Sequence, residues 1–258
     1  MNPPKPVIPA STSTHGQVLG AIAGEKIYST AAFREAVWEM EPKLAVFDCD
    51  GTLWSPDAGS GFMNWTIATG LLPQGPTDRL LARHQAYHRG EIDELTICGE
   101  MVQIYEGLRV ADLRASAREY FRQNIQPHLF PEMIELIQEL QAANVEIWAV
   151  SSTNDWMIEE SLRELNITRE RILAACVYSV DGIVTGTLRD VPTDEGKANS
   201  LRAAGIPHPD IVFGNSIHDA AMLEMARRPF PINPSSGLQG LSVERGWTVY
   251  YPAAIRPA

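Results

Sequence analysis

The sequence predicts an α/β fold, a Rossmann-like doubly wound parallel sheet with a helical cap inserted after its first strand. Two patterns predict it. Short apolar runs at 43–48, 145–150 and 210–213 alternate with helix-length segments, the rhythm of successive βαβ units. The long stretch 54–127, between the first two runs, carries helical segments and no convincing strand.

Residues 1–18, rich in Pro, Ser and Thr, offer little apolar surface to offset the entropy of ordering and read as a disordered arm. A helix is expected over 29–40, capped by Ser29 or Thr30 and ended by Pro42. The run KLAVFD, 43–48, is short, apolar and followed by a Gly-bearing turn, as in a buried parallel strand. In the insert, helices are expected at 78–89, 93–105 and 111–124, separated by Pro73, Pro76, Gly90 and Gly107. A helix at 131–143, opened by Pro131, then leads to a strand at 145–150 and a helix at 155–165. Residues 176–190 alternate about Asp181-Gly182, a hairpin turn pair. A helix at 196–204, a strand at 210–213 and a helix at 219–227 follow. A Pro/Gly-rich stretch then runs to a last apolar segment at 248–251. These assignments divide the chain into an α/β core domain, 19–53 with 128–258, and a helical cap domain, 54–127.

With 258 residues, 45% of them hydrophobic, the chain has the material for one large domain and an insert. Its formal net charge of -11 and the lack of any Lys/Arg block argue against coating a nucleic acid. No run approaches the roughly 20 apolar residues of a membrane span, so no membrane partner is expected. The N-terminus has no apolar stretch of signal-peptide length. The three cysteines, Cys49, Cys98 and Cys176, are odd in number and lack CxxC spacing. They read as reduced thiols of a cytoplasmic protein. Either a monomer or a dimer through the insert is compatible with this composition. An acidic surface slows encounter with anionic substrates unless positive charge is focused at the site, here by a metal ion and one or two lysines.

A doubly wound sheet binds ligands beyond the carboxyl ends of its strands, and polar residues cluster at four such places. Asp48-Cys49-Asp50-Gly51-Thr52 ends the most apolar run. There Asp48 can attack phosphorus as a carboxylate nucleophile, and Asp50 can protonate the leaving oxygen and then deprotonate water. Gly51 permits close backbone approach, and the amides near Gly51 and Thr52 can face an anion. Ser151 and Ser152, after EIWAV, offer hydroxyls and amides at a helix start, although helix capping by Ser152 or Thr153 explains them equally well. Lys197 sits at a helix start, where the macrodipole disfavours a cation; a phosphate would offset that, and a solvated surface lysine is the ordinary alternative. Asn215 and Asp219, after IVF, supply oxygen ligands of the kind Mg²⁺ prefers, though Asp219 can equally cap the next helix.

In this order, DCDGTLW, VSST, GKANSL and GNSIHDAAML, the chain resembles the haloacid-dehalogenase-like (HAD) hydrolase superfamily, in particular its phosphoserine-phosphatase-like branch. The resemblance covers roughly residues 43–230 and includes the helical insert. It implies the HAD fold, Mg²⁺ as cofactor and a small soluble phosphomonoester as substrate, hydrolysed through an aspartyl phosphate. It gives Asp48 the nucleophile's place and Asp50 that of the acid/base, whose carbonyl also binds the metal. Ser151 and Lys197 fall where the family binds the transferring phosphoryl group. Asn215 falls where the family usually places a metal-binding aspartate, Asp219 on the second acid of that loop, which supports the metal or the lysine, and 54–127 corresponds to a mobile cap.

The match departs from the family pattern at two places. Asn215 stands where the family usually has an aspartate, which keeps an oxygen ligand but removes a negative charge. A weakly active or inactive phospho-ligand-binding protein is therefore the alternative reading. The cap segment GEIDELTICGEMVQIYEG contains no arginine to grip a substrate carboxylate, so phosphoserine is a possible substrate and not the favoured one. Asp57 lies near the family's amino-group acid, but reads first as a turn residue after Pro56. His218 reads as a solvent-facing loop histidine. Phe62, Trp65, Met101 and Tyr105 read first as the insert's own core. A dehalogenase normally lacks the second aspartate, so Asp50 argues against that chemistry.

Overall fold

The computed structural model describes residues 21–255, so the arm expected at 1–18 lies outside the described residues. In chain order the elements are β1 (Lys26–Ile27), α1 (Thr30–Trp38), β2 (Leu44–Phe47), α2 (Ala58–Ala68), α3 (Gln74–His88), α4 (Glu94–Gln103) and α5 (Val110–Tyr120). Then come α6 (Pro131–Ala142), β3 (Glu146–Asn154), α7 (Asp155–Leu162), β4 (Ile172–Val180), β5 (Ile183–Asp190) and α8 (Glu195–Ala203). The chain closes with β6 (Ile211–Gly214), α9 (Ala220–Met225), β7 (Arg228–Pro231), α10 (Ser236–Arg245) and β8 (Thr248–Val249).

The main sheet has the order β5-β4-β3-β2-β6-β7 and is parallel except for the β4–β5 hairpin. The middle of each central strand, LAVF in β2, IWAV in β3 and IVF in β6, is apolar because both faces are covered. Ala45, Phe47, Ile147, Ala149, Ile211 and Phe213 pack with α1, α6 and α7. Val46, Val150 and Val212 point the other way, toward Leu201 of α8, Met222 and Leu223 of α9 and Leu238 of α10. This alternation is the period-two pleat read on a sheet buried twice. From β2 the chain first builds outward through β3, β4 and β5, then crosses to the other side as β6 and β7. The strand order therefore reverses at β2 and β6, and the crevice beyond their carboxyl ends is where ligands of such sheets bind.

Residues 54–127 pack less independently than an inserted domain. Phe62 of α2, Val102 of α4 and Leu113, Ala117 and Tyr120 of α5 belong to the main apolar cluster. A separate small cluster, Met63, Leu80 and Ile97, holds α3 onto α2 and α4. The far end of the insert is stitched to the hairpin: Gly107 N donates to Val184 O, Val184 N to Leu108 O and Val110 N to Gly182 O, each at 2.9 Å.

Several expected boundaries move. Two helices, α2 and α10, are absent from the sequence reading, and α3 begins ahead of the expected 78. Helix α2 reads AGSGFMNWTIA, whose glycines lower helix propensity. They are there for close approach: a Cβ at Gly59 would lie 2.7 Å from Thr153 Oγ1, and one at Gly61 2.0 Å from the Tyr120 hydroxyl. Helix α10 lies inside the stretch read as Pro/Gly-rich loop. Strand β7, RPFP, carries two prolines and is tolerated at the edge of the main sheet, where β6 is its one strand partner, although Tyr250 N also reaches Pro231 O at 2.9 Å. Strand β1, which pairs only with β8, also escapes the sequence reading. The hairpin turn is as expected, with Asp181 and Gly182 both at positive φ, and β4 starts earlier, at Ile172. Among the described residues no helix is long and apolar enough to cross a membrane, and the three cysteines are free.

Candidate active site

Asp48 follows β2 directly, and its N–H donates to Phe213 O of β6 at 2.9 Å, which fixes it at the switch point. Its carboxylate is buried. Oδ1 accepts from Lys197 Nζ at 2.7 Å, and Oδ2 from Thr52 Oγ1 at 2.9 Å. The lysine is delivered by the first turn of α8, 149 residues later in the chain. It is only 3% exposed, which removes the solvated-lysine reading. Its ammonium also donates to Asp219 Oδ1. Burial pulls the Lys197 pKa down, but Asp219 and Asp48 outweigh it and hold the ammonium above the usual range. Burial first, then Asp219, pushes the Asp48 carboxyl up to about 7 against the pull of Lys197. Two carboxylates sharing one ammonium explain both directions.

Asp50 lies beside this triad. Its Oδ1 accepts from Trp54 Nε1 at 2.5 Å and from Ala58 N at 3.0 Å, and its Oδ2 from Thr153 Oγ1 at 2.7 Å. Burial and the neighbouring Asp57 raise its pKa to about 6, while these donors oppose the rise. The sequence reading missed Thr153 as Asp50's partner, and also Trp54, whose only signal is its place four residues after Asp50. Capping of α7 falls to Asn154, whose side chain accepts from Met157 N at 3.0 Å. Ser151 and Ser152 are thereby released from that duty. Both line the cavity, with Ser151 Oγ held by Thr153 N at 3.1 Å.

The amides of Gly51 and Thr52 do not face an anion as expected. Gly51 N donates to Trp54 O at 2.7 Å and Thr52 N to Cys49 O at 3.1 Å, so both are consumed by the turn, and neither residue lines the cavity. Thr52 acts instead through its hydroxyl on Asp48. Gly51 is required for another reason: its φ is +76°, and a Cβ there would lie 1.8 Å from Asn215 Nδ2. Gly51→Ala is accordingly expected to destabilise the protein by about 2 kcal/mol, read as a lower urea midpoint. An unchanged midpoint would show that Asn215 does not need this gap.

Asn215 is 3% exposed and lies in the loop after β6. Asp219 shapes that loop: its Oδ2 accepts from Asn215 N at 2.9 Å and Ser216 N at 2.8 Å, and its Oδ1 from Lys197. With both oxygens engaged, Asp219 positions the lysine and the loop, the lysine-supporting role of the two that the resemblance implied. The hard oxygens left are the Asp48 carboxylate, the Asp50 carbonyl and the Asn215 carboxamide, a sparse set of the chemistry Mg²⁺ takes with retained waters. Among the described residues no three His, Cys, Asp or Glu side chains form a metal cluster.

These groups form the floor of a cavity of about 600 Å³ whose roof comes from α2, α3 and α4. Four carboxylates, Asp48, Asp50, Asp57 and Glu94, line it against the single ammonium of Lys197. Such a balance repels a phosphate dianion, so the residues present fit a divalent cation as counter-charge. Asp57 caps α2, accepting from Ser60 N and Ser60 Oγ, each at 2.9 Å. His218 is half-buried: part of it faces solvent, with Nδ1 2.7 Å from Asp194 Oδ1, and it also lines the cavity. Phe62 and Tyr105 are fully buried in the core, whereas Met101 reaches the cavity.

Comparison with known proteins supports the family and the fold. The family model described as haloacid dehalogenase-like hydrolase matches residues 45–224, from β2 to α9. A histidinol-phosphatase of Neisseria meningitidis serogroup C is 26% identical over 216 residues, 80% of this chain and 97% of that one. A crystal structure of a protein of unknown function from Bordetella pertussis Tohama I superposes with a TM-score of 0.69 at 25% identity, covering 80% of this chain and 97% of that chain. A phosphoserine phosphatase solved as a phospho-aspartyl intermediate analogue shares the fold at a TM-score of 0.55 and 14% identity, over 82% of this chain and 93% of that one.

Proposed function

We propose, since the chain belongs to the haloacid dehalogenase-like hydrolase family, that it is a Mg²⁺-dependent phosphomonoester hydrolase acting through an aspartyl phosphate on Asp48. The observation that carries this reading is the buried contact of Lys197 with Asp48, 2.7 Å, beside Asp50 at the switch point of the sheet. The histidinol-phosphatase relative supports the phosphatase class.

Phosphoryl transfer needs alignment and charge neutralisation more than covalent machinery. An Asp48 oxygen bonds to phosphorus as the bond to the ester oxygen breaks, and Asp50 gives that oxygen its proton. A pKa of about 6 leaves Asp50 a usable protonated fraction near neutral pH. Asp50 then takes a proton from water, whose oxygen attacks phosphorus and releases Asp48 and inorganic phosphate. Thr52 and Lys197 hold the Asp48 carboxylate in one orientation throughout. Lys197 and the Ser151 and Ser152 hydroxyls are placed to bind phosphoryl oxygens. When bound, Mg²⁺ at Asp48, the Asp50 carbonyl and Asn215 supplies the positive charge that lets two anions meet. Residues 54–127 act as the cap that shields the site. Its mobile part is α3, where only Thr77, Leu80 and His84 are buried.

Phosphate release from p-nitrophenyl phosphate, with Mg²⁺ and with a chelator, tests the reading. Release is expected with the metal and not without it, and equal rates would reject metal dependence. Binding of a phosphate analogue without turnover would favour the phospho-ligand-binding alternative raised by Asn215. Thermal stability gives the sign of the coupled titration. In the metal-free protein the Asp48 pKa is raised from 3.8 to about 7. Its contribution to stability is therefore full below about pH 4 and is lost as pH rises through about 7. A cation beside Asp48 favours the deprotonated form. Mg²⁺ at one concentration, tenfold its Kd at pH 8, is thus expected to raise Tm by about 3 °C at pH 8 and by under about 1 °C at pH 5. Equal shifts at both pH values would place the cation away from Asp48.

A further inference from the structure

We propose that Glu94 selects substrates whose leaving group carries a protonated amine and no carboxylate, which names the substrate class of the phosphatase site and rests on that reading. The phosphoryl end of the cavity is accounted for by the groups around Asp48. The opposite wall belongs to α3 and α4, and it carries a carboxylate with one buried oxygen left without a hydrogen bond. Glu94, in the first turn of α4, has one oxygen within reach of Cys98 Sγ, at 3.6 Å. Its other oxygen, Oε2, is buried and accepts no hydrogen bond. Leaving such an oxygen without a donor is costly, and a ligand ammonium would satisfy it.

The surroundings favour a cation at this place. Among the described residues no Arg or Lys other than Lys197 lines the cavity, and Lys197 is engaged with Asp48 and Asp219. Asp57 adds a second carboxylate on the same side. The pKa of His84, on α3, is lowered by burial and then by His88, so it supplies no competing positive charge. Burial and then Glu94 push the Tyr87 phenol above its usual range, so it stays neutral beside the carboxylate. Helix α4 is also held still: Gln103 Nε2 donates to Gly186 O at 2.7 Å, and Gly99 packs against Leu188. A charged receptor on an anchored helix is preorganised for recognition. A substrate carboxylate, by contrast, would meet Glu94 with no Arg or Lys beside it among the described residues of this wall.

One resident group competes for the same role. His218 Nε2 lies 3.7 Å from Glu94 Oε2, beyond hydrogen-bond range but close enough to pair if the imidazole were charged. The test therefore includes that residue. Steady-state kinetics are measured with a series of ω-aminoalkyl phosphates, each against the ω-hydroxyalkyl phosphate of the same length, and with O-phosphoserine. For the best-fitting length, wild-type kcat/KM is expected to favour the amine by about 10- to 100-fold. 2-Aminoethyl phosphate is expected to exceed O-phosphoserine, its carboxylated counterpart. Glu94→Gln should collapse the amine-to-hydroxyl ratio toward one, and His218→Asn should leave that ratio largely in place. No amine preference in the wild type, a preference for the carboxylated ester, or equal losses on both esters in Glu94→Gln that His218→Asn reproduces would each overturn the proposal. Hydrolysis of p-nitrophenyl phosphate in the same preparation separates this failure from failure of the phosphatase reading, which would abolish turnover of every ester.

Discussion

Asp48→Asn is expected to leave less than about one thousandth of the wild-type rate of phosphate release. The amide keeps the shape of the carboxylate, and its oxygen can still accept from Lys197 or Thr52, the two donors seen at Asp48. What it loses is the anionic oxygen that bonds to phosphorus. Folding should survive, because the substitution removes one of two carboxylates that compete for a single buried ammonium. Loss of activity at unchanged or higher Tm is therefore the signature. A residual rate near wild type would reject Asp48 as the nucleophile.

Lys197→Met is the second large effect. Methionine fills much of the buried volume but leaves Asp48 and Asp219 facing one another, both almost wholly buried, without a cation. Breaking a buried ion pair by removing one partner costs about 3–5 kcal/mol. The activity loss is expected to be at least about 100-fold, the scale of removing one preorganised charge from a transferring oxyanion. The stability loss has a pH signature. It should be largest near pH 8, where both carboxylates are charged, and smaller near pH 5, where the raised Asp48 carboxyl takes up a proton. Urea unfolding at the two pH values reads this directly, and a loss that does not vary with pH would mean that the triad is not coupled as its geometry indicates.

The parts of this molecule that were legible in its sequence share one property: their residue pattern follows from burial on both sides or from a turn. LAVF, IWAV and IVF are apolar throughout because helices cover both faces of the sheet, and the polar residues at their ends stand out against them. Asp181-Gly182 announces its hairpin by the two positive φ values that it must adopt. Helix α2 was not legible, because its glycines serve contacts with Thr153 and Tyr120 that no local pattern encodes. The two-proline edge strand β7 was hidden for a related reason, since tolerance of proline depends on having one strand partner at the sheet edge.

In the site, residue types were legible and partnerships were not. The sequence pointed to Asp48, Asp50, Lys197, Asn215 and Asp219 as carriers of the chemistry. It did not tell that Thr153 restrains Asp50, that the Gly51 and Thr52 amides close a turn, or that Asp219 spends both oxygens on Lys197 and the loop amides. Glu94 carried no pattern, and the closeness of Glu94 to His218 could not be read, because they become neighbours only when α4 of the insert roofs the loop after β6.

The most direct measurement is rapid acid quench of the Mg²⁺-loaded protein during turnover, followed by intact-mass and peptide-mass analysis. One phosphoryl group on the peptide containing Asp48, absent in Asp48→Asn and lost when the quench is made alkaline, is the predicted result. Steady release of phosphate with no phosphorylated peptide at any quench time, or with the label on another residue, would contradict it.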